Sequence, residues 1–312
     1  VTHLSGLTGS AASVFAASQH KNLSAPTLFI LPDSEAAAYF LDDIENLLGE
    51  KKAYFFPSSF RLRHNIYEKD KASILLRAET LSEISRAGSR AMAVTYPEAI
   101  CEKVISNKEL EQNTISLSRG DKFSLEFITE FLMEHGFEHS DFVYEAGQFS
   151  IRGGIVDVWS FSSELAFRIE FFGDTIESVR TFEPADQLSV QPMHRVTIIP
   201  DIEKPGTEER SISLFSFIPP GSIIWMKDGE RMLRSADDYM SRFSSEINPE
   251  IPEHISFEPA ESIHAALKNF SIVEWGTTFL FRKQGKEVRF KTVPQPSFNK
   301  NFNMLIEDLA GN

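Results

Sequence analysis

One cysteine in 312 residues, Cys101, leaves no partner for an intrachain disulfide, which fits a reducing, cytoplasmic compartment. Its context, Pro97-Glu98-Ala99-Ile100-Cys101, reads as a helix packing position rather than a reactive thiol. No apolar run approaches the ~20 residues that a membrane-spanning helix needs; candidates such as Thr27 to Leu31 are strand-sized. No charged segment followed by an apolar stretch marks a secretory signal. The chain opens on Val1 rather than Met, as expected of a piece of a longer protein. Cations are also scarce, with 31 Lys and Arg against 45 Asp and Glu and a formal net charge of −14. Sequence-independent DNA binding relies on cations that displace phosphate counterions, so this balance argues against a DNA-binding module; solubility alone would also explain it. Phenylalanine, by contrast, is abundant at 27 residues, and the length suits about two domains with sizeable cores.

The first third alternates strand and helix signals. A helix is expected over Ala11 to Gln19, and a strand over Thr27 to Leu31, closed by the helix start Pro32-Asp33-Ser34. Ala37, Phe40, Leu41, Ile44, Leu47 and Leu48 then recur at helical spacing up to Gly49. Strands over Ala53 to Phe56 and Ala91 to Val94 flank a helix marked by Ile74, Leu81 and Ile84. Strands separated by helices of this length imply a parallel sheet with crossover helices. After about Lys108 the pattern changes. One helix is expected over Phe123 to Gly136. Strands follow at Phe142 to Tyr144, Gln148 to Arg152, Ile155 to Trp159, Ala166 to Phe172 and Thr175 to Phe182, the last two joined by a Gly173-Asp174 turn. The last third predicts strands at Ser222 to Met226, Ile272 to Trp275, Thr278 to Phe281 and Val288 to Phe290. Helices are predicted at Glu230 to Ser244 and Asn301 to Leu309, and exposed connectors at Glu203 to Glu208 and Ile247 to Glu258.

The segment Gly6-Leu7-Thr8-Gly9-Ser10-Ala11-Ala12-Ser13 has the outline of a phosphate-binding loop, G-x-x-x-x-G-K-[ST], without its chemistry. Ala11 stands where a glycine would let backbone amides approach phosphate, and Ala12 where a lysine would reach the β- and γ-phosphates. Gly6 and Ser13 keep the ends, with Gly9 between them. The same residues also read as an ordinary turn and helix start.

Alternation assigns two faces to Phe167-Arg168-Ile169-Glu170-Phe171-Phe172. Phe167, Ile169 and Phe171 make the core face. Arg168, Glu170 and Phe172 make the other, and an aromatic flanked by arginine is the composition of a protein-interface anchor. Arg152 and Arg180 could extend this patch, and the paired Gly153-Gly154 suggest a bulge or a close backbone approach. Burial of Phe172 beneath another layer is the competing reading.

Two stretches carry a family resemblance. Phe142 to Val158, with Glu145-Ala146-Gly147-Gln148-Phe149-Ser150-Ile151-Arg152-Gly153-Gly154-Ile155-Val156-Asp157 at its centre, closely resembles a hallmark of the UvrB-like module. So does Arg168 to Phe182. The module occurs in the excinuclease subunit UvrB and in bacterial transcription-repair coupling factors (Mfd). Leu7-Thr8-Gly9-Ser10 sits where UvrB has its phosphate loop, and Pro296 to Phe302 resembles the closing part of the module's first domain. The departures favour the N-terminal UvrB-homology region of the coupling factors. They are Ala11 and Ala12 in the loop, no D-E-x-x box, no second motor lobe, and a short Pro57 to Asp70 stretch with Tyr67 as its only tyrosine in place of an aromatic-rich DNA-binding hairpin.

The resemblance implies an α/β chain: a degenerate P-loop NTPase-like (RecA-like) parallel-sheet domain, residues 1–108 and 204–312, with an inserted α+β UvrA-interaction domain, residues 109–203. It implies UvrA as partner, bound through Arg152, Arg168 and Phe172 with Glu170 and Arg180 as neighbours. It implies a non-catalytic module that needs no cofactor. ATP and Mg²⁺ would belong to translocase domains outside this chain, and RNA polymerase and DNA would be reached through such domains too. An ATP-dependent damage-verification subunit like UvrB, and a direct DNA binder, are the alternatives.

Overall fold

The computed structural model describes residues 1–49, 53–63, 66–86, 88–161, 163, 165–200, 211–245, 257–283, 285–293 and 302–311. The connector Glu203 to Glu208, most of Ile247 to Glu258 and all of Pro296 to Phe302 except its last residue lie outside them. So does the side chain of Tyr67.

Seven parallel strands form the larger sheet. In chain order the first third contributes β1 (Thr2–Ser5), α1 (Ala11–Gln19), β2 (Thr27–Ile30), α2 (Ser34–Leu48), β3 (Ala53–Phe55), β4 (Phe60–Arg63), β5 (Ile66–Lys69), α3 (Lys71–Ser85), β6 (Met92–Thr95) and α4 (Pro97–Cys101). The helices start where the sequence supplies caps: the Asp33 carboxylate accepts from the Ala36 amide at 2.8 Å, and Asp70 accepts from the Ser73 amide at 3.1 Å. All four residues of β2 are buried, as expected of a central parallel strand covered on both faces. Cys101 is buried in α4, where burial raises its thiol pKa.

The middle of the chain runs β7 (Val104–Ile105), α5 (Asn107–Gln112), β8 (Ile115–Ser118), α6 (Leu125–Glu134), β9 (Glu138–His139), β10 (Gln148–Arg152), β11 (Ile155–Val158), β12 (Ala166–Phe172), β13 (Thr175–Phe182), β14 (Ser189–Met193) and β15 (Arg195–Ile198). The last third adds β16 (Ser211–Ile212), α7 (Leu214–Phe217), β17 (Ile223–Lys227), α8 (Gly229–Ser245), α9 (Ala260–Leu267), β18 (Ser271–Trp275), β19 (Lys286–Arg289) and α10 (Phe302–Gly311). Strand order in the larger sheet is β19-β1-β18-β17-β2-β6-β3, so it draws on both ends of the chain. A second, six-stranded sheet has the order β14-β13-β12-β11-β10-β9. Among the described residues no helix is long and apolar enough to cross a membrane.

Each sheet has its own core. Phe29, Phe40, Trp225 and Trp275 form a linked aromatic cluster beneath the larger sheet, with centroid separations from 5.0 to 6.1 Å. In the smaller sheet Phe149, Val156, Val158, Phe167, Ile169 and Val179 pack with Ile128 and Leu132 of α6.

The structure corrects several expectations. Phe142 to Tyr144 is not a strand: β9 already occupies that edge of β10, leaving the triplet no ladder to join. Thr278 to Phe281 is not one either, because the Leu280 and Phe281 amides are taken by the Glu274 carboxylate at 2.7 and 3.1 Å. The helix expected over Phe123 to Gly136 is shorter, beginning only at Leu125 after its Ser124 cap. Within Pro57 to Asp70, β4 and β5 pair as an antiparallel hairpin that the sequence reading did not anticipate.

That hairpin emerges from a buried polar knot. Glu102, fully enclosed, accepts from the Ser58 hydroxyl at 2.5 Å, the Ser59 amide at 3.0 Å and the Ser59 hydroxyl at 2.7 Å. Arg77, equally buried, lies 3.3 Å from Glu102, donates to the Pro57 carbonyl at 2.9 Å and covers the Phe56 ring. Removing one member of such a pair strands the other charge away from water, at a cost of about 3–5 kcal/mol. Glu102→Ala is therefore expected to lose stability on that scale in urea denaturation, whereas a loss below about 1 kcal/mol would show that water reaches the knot.

Candidate functional site

The solvent-side face of the smaller sheet gathers all five residues proposed for binding. Register places Ser150, Asp157, Arg168 and Arg180 in one cross-strand row, and Arg152, Ile155, Glu170 and Ser178 in the next. Arg168 and Arg180 stand directly opposite each other, an unfavourable like-charge pair, and each turns to a different carboxylate. Arg168 grips Asp157 with Nε at 2.7 Å and Nη2 at 2.9 Å, while Arg180 pairs with Glu170. Arg168 also donates to the Gln187 carbonyl at 3.2 Å and lies over the Phe182 ring. Arg152 donates to the same Asp157 and, at 3.2 Å, to the Asp141 carbonyl, with its guanidinium over Phe142.

Asp157 is thus the hub of the face. It is only 1% exposed and was not singled out in the sequence, although it is the lone acid in Ile155-Val156-Asp157-Val158 and alternation sets it opposite the core-facing Val156 and Val158. Its two hydrogen bonds to Arg168 raise that guanidinium's pKa.

Phe172 ends β12 just before the Gly173 turn and is 81% exposed, the most exposed Phe on this sheet. The reading in which another layer covers it does not hold. The glycine pair shows a close approach rather than a bulge: a Cβ on Gly154 would meet the Phe171 carbonyl oxygen at 2.7 Å. The Phe171 amide donates to Gly154 at 2.7 Å, and the register shift falls instead between Glu170 and Phe171 of β12. Even with that shift, Phe171 points inward and Phe172 outward.

Glu170 accepts from the Ser178 hydroxyl at 2.6 Å. This bond first, then the one from Arg180, holds its pKa below the usual carboxylate range. A lowered folded-state pKa contributes stability that is fully present above the unfolded value, ~4.3, and is lost as pH falls through the folded value. Between neutral pH and about pH 3, Glu170→Gln should show a shallower acid loss of unfolding midpoint than wild type. Parallel curves would exclude a stabilising role for this carboxylate.

The phosphate-loop segment lies elsewhere, between β1 and α1, and Gly6, Thr8 and Ser13 bond within the chain. The Thr292 hydroxyl accepts from the Thr8 amide at 2.9 Å, lies 2.8 Å from the Thr8 hydroxyl and donates to the Gly6 carbonyl at 2.6 Å. Gly6, at φ +77°, has no room for a Cβ because the Phe290 carbonyl oxygen occupies that space. Gly9, also at positive φ, sits in an open turn. Ala11 begins α1, Ala12 is buried, and the buried Ser13 donates to Asp43 at 2.8 Å.

Parts of this sequence are similar to known proteins. Residues 115–203 match the UvrB interaction domain family. The chain is 32% identical over 199 residues to the transcription-repair-coupling factor of Bacillus subtilis, covering 63% of this chain and 17% of that protein. It is 29% identical over 210 residues to the one from Myxococcus xanthus, covering 65% and 18%. It is 26% identical over 222 residues to UvrABC system protein B of Thermosipho africanus, covering 66% and 33%. The match therefore spans less than a fifth of the coupling factors and a third of the UvrABC protein. The chain is thus similar to part of the transcription-repair-coupling factors and of UvrABC system protein B, and its residues 115–203 match the UvrB interaction domain family.

Proposed function

We propose that this chain is a non-catalytic module that recruits UvrA to sites of nucleotide excision repair. It would do so as the UvrB-homology region of a transcription-repair coupling factor, divided into a sheet domain of residues 1–108 and 204–312 and an inserted domain of residues 109–203. The observation that carries this reading is Phe172. A phenylalanine 81% exposed beside a rigid set of ion pairs costs solvation unless a partner covers it. Arg168 and Glu170 precede it on the outward face of β12, Arg180 lies on β13 and Arg152 on β10. RNA polymerase and DNA would be engaged by other domains of the full protein, and its ATP and Mg²⁺ would act there, in the cytoplasm.

The loop favours a lapsed nucleotide site in a RecA-like sheet. A triphosphate needs backbone amides and a lysine at the loop; here the Thr8 amide is spent on Thr292, Ala12 replaces the lysine, and the Ser13 hydroxyl is spent on Asp43. These residues do not fit a nucleotide with Mg²⁺.

Truncation of a central interface anchor costs about 2 kcal/mol or more, or roughly thirtyfold in affinity. Phe172→Ala is expected to weaken UvrA binding to that degree in a calorimetric or pull-down assay while leaving the unfolding midpoint in place, since the ring packs little in the free chain. Undiminished binding would remove Phe172 from the interface. Titration with ATP and Mg²⁺ should give no saturable heat at micromolar nucleotide; saturable binding would favour an ATP-using, UvrB-like subunit instead.

A further inference from the structure

Two guanidinium groups share a single carboxylate on the proposed docking face. Asp157 accepts from Arg168 Nε, Arg168 Nη2 and Arg152 Nη2. Among the described residues it is the one acid within ion-pair distance of either arginine. Glu170, hydrogen-bonded to Arg180 and Ser178, makes no ion pair with Arg168 and adds only a longer-range attraction. The Arg180–Glu170 pair is therefore neutral, while the Asp157 cluster carries one uncompensated positive charge. That charge is directional. Arg168, with only 14% of its side chain exposed, is locked by Asp157, the Gln187 carbonyl and the Phe182 ring. Arg152 is 37% exposed, and its Nε–H has no partner among the described residues.

We propose that Asp157 is a positioning residue that presents these two guanidinia to a carboxylate of the partner protein, next to an apolar recess that takes Phe172. The inference rests on the docking reading above. A planar guanidinium already held on one edge loses little freedom when its other edge meets an acid, and it offers paired donors at the spacing of carboxylate oxygens. The partner thus completes a half-finished network of two arginines and two acids. Charge-assisted bonds of this kind fix register and reject partners that lack the acid.

A face that merely attracted acids through its net charge would behave in the opposite way. Asp157→Asn removes a negative charge, so simple attraction predicts tighter binding of an acidic partner. Positioning predicts looser binding, because the guanidinia lose their anchor. Arg168→Lys keeps the charge but not the fork, so simple attraction predicts no change and positioning predicts a loss.

Calorimetric titration of UvrA into the wild-type chain and both variants, each confirmed folded by its unfolding midpoint, separates the two. The expected result is affinity about tenfold weaker in each variant, together with loss of the slowly exchanging Arg168 Nε–H resonance from the spectrum of Asp157→Asn. An Asp157→Asn chain that binds as tightly as wild type or tighter overturns the inference, as does an Arg168→Lys chain that binds like wild type. If Asp157→Asn fails to fold, Arg168→Lys alone decides. Failure of the wild-type chain to bind UvrA would instead overturn the docking reading, and this inference with it.

Discussion

The buried carboxylate of Asp157 is the constraint on which the proposed surface depends. A charge so nearly removed from water is tolerable only when paired and hydrogen-bonded, and Asp157 meets that requirement with three guanidinium N–H groups from two strands. Satisfying the acid has consequences for its neighbours. It pulls Arg168 away from Arg180, which then turns to Glu170, so every cation on the face has a fixed direction. It also draws Arg152 across β10 toward Phe142 and the Asp141 carbonyl, ordering the segment that could not become a strand. Phe172 stands just beyond this frame, 81% exposed.

The larger sheet follows a contrasting logic. In parallel α/β sheets the loops after the strands are where ligands usually bind, yet here polar groups at or just after the ends of three of the strands, β1, β17 and β18, bond within the chain. Thr292 closes the loop after β1. Asp228, after β17, accepts from the Thr277 and Thr278 amides and the Thr277 hydroxyl; although burial opposes it, these bonds leave its pKa lowered. Glu274 at the end of β18 is fully buried and holds the Leu280 and Phe281 amides. On the proposed reading this sheet is a scaffold, and recognition lies on the smaller one.

Legibility in the sequence followed the strength of local signals. Gln148–Arg152, Ala166–Phe172 and Thr175–Phe182 were readable to the residue because alternation and a Gly173-Asp174 turn reinforce each other. The two faces of β12 followed from the same alternation. β1 was missed because Thr2-His3-Leu4-Ser5 has a single strongly apolar residue, and its strand character comes from β18 and β19 on either side. Phe142 to Tyr144 and Thr278 to Phe281 have strand composition but no free edge, which only tertiary structure decides. At the candidate site the sequence supplied the arginines and Phe172 but not their connections. Asp157 passed as one residue of a longer motif because burial and sharing are properties of three strands together.

Hydrogen exchange on the wild-type chain with and without UvrA addresses the central claim most directly. Binding at the smaller sheet predicts new protection across Arg152 to Phe172, centred on β11 and β12, with the amides of β1, β17 and β18 unchanged. Protection confined to the Gly6 to Ser13 loop and the ends of β17 and β18, with β11 and β12 unaffected, would contradict it.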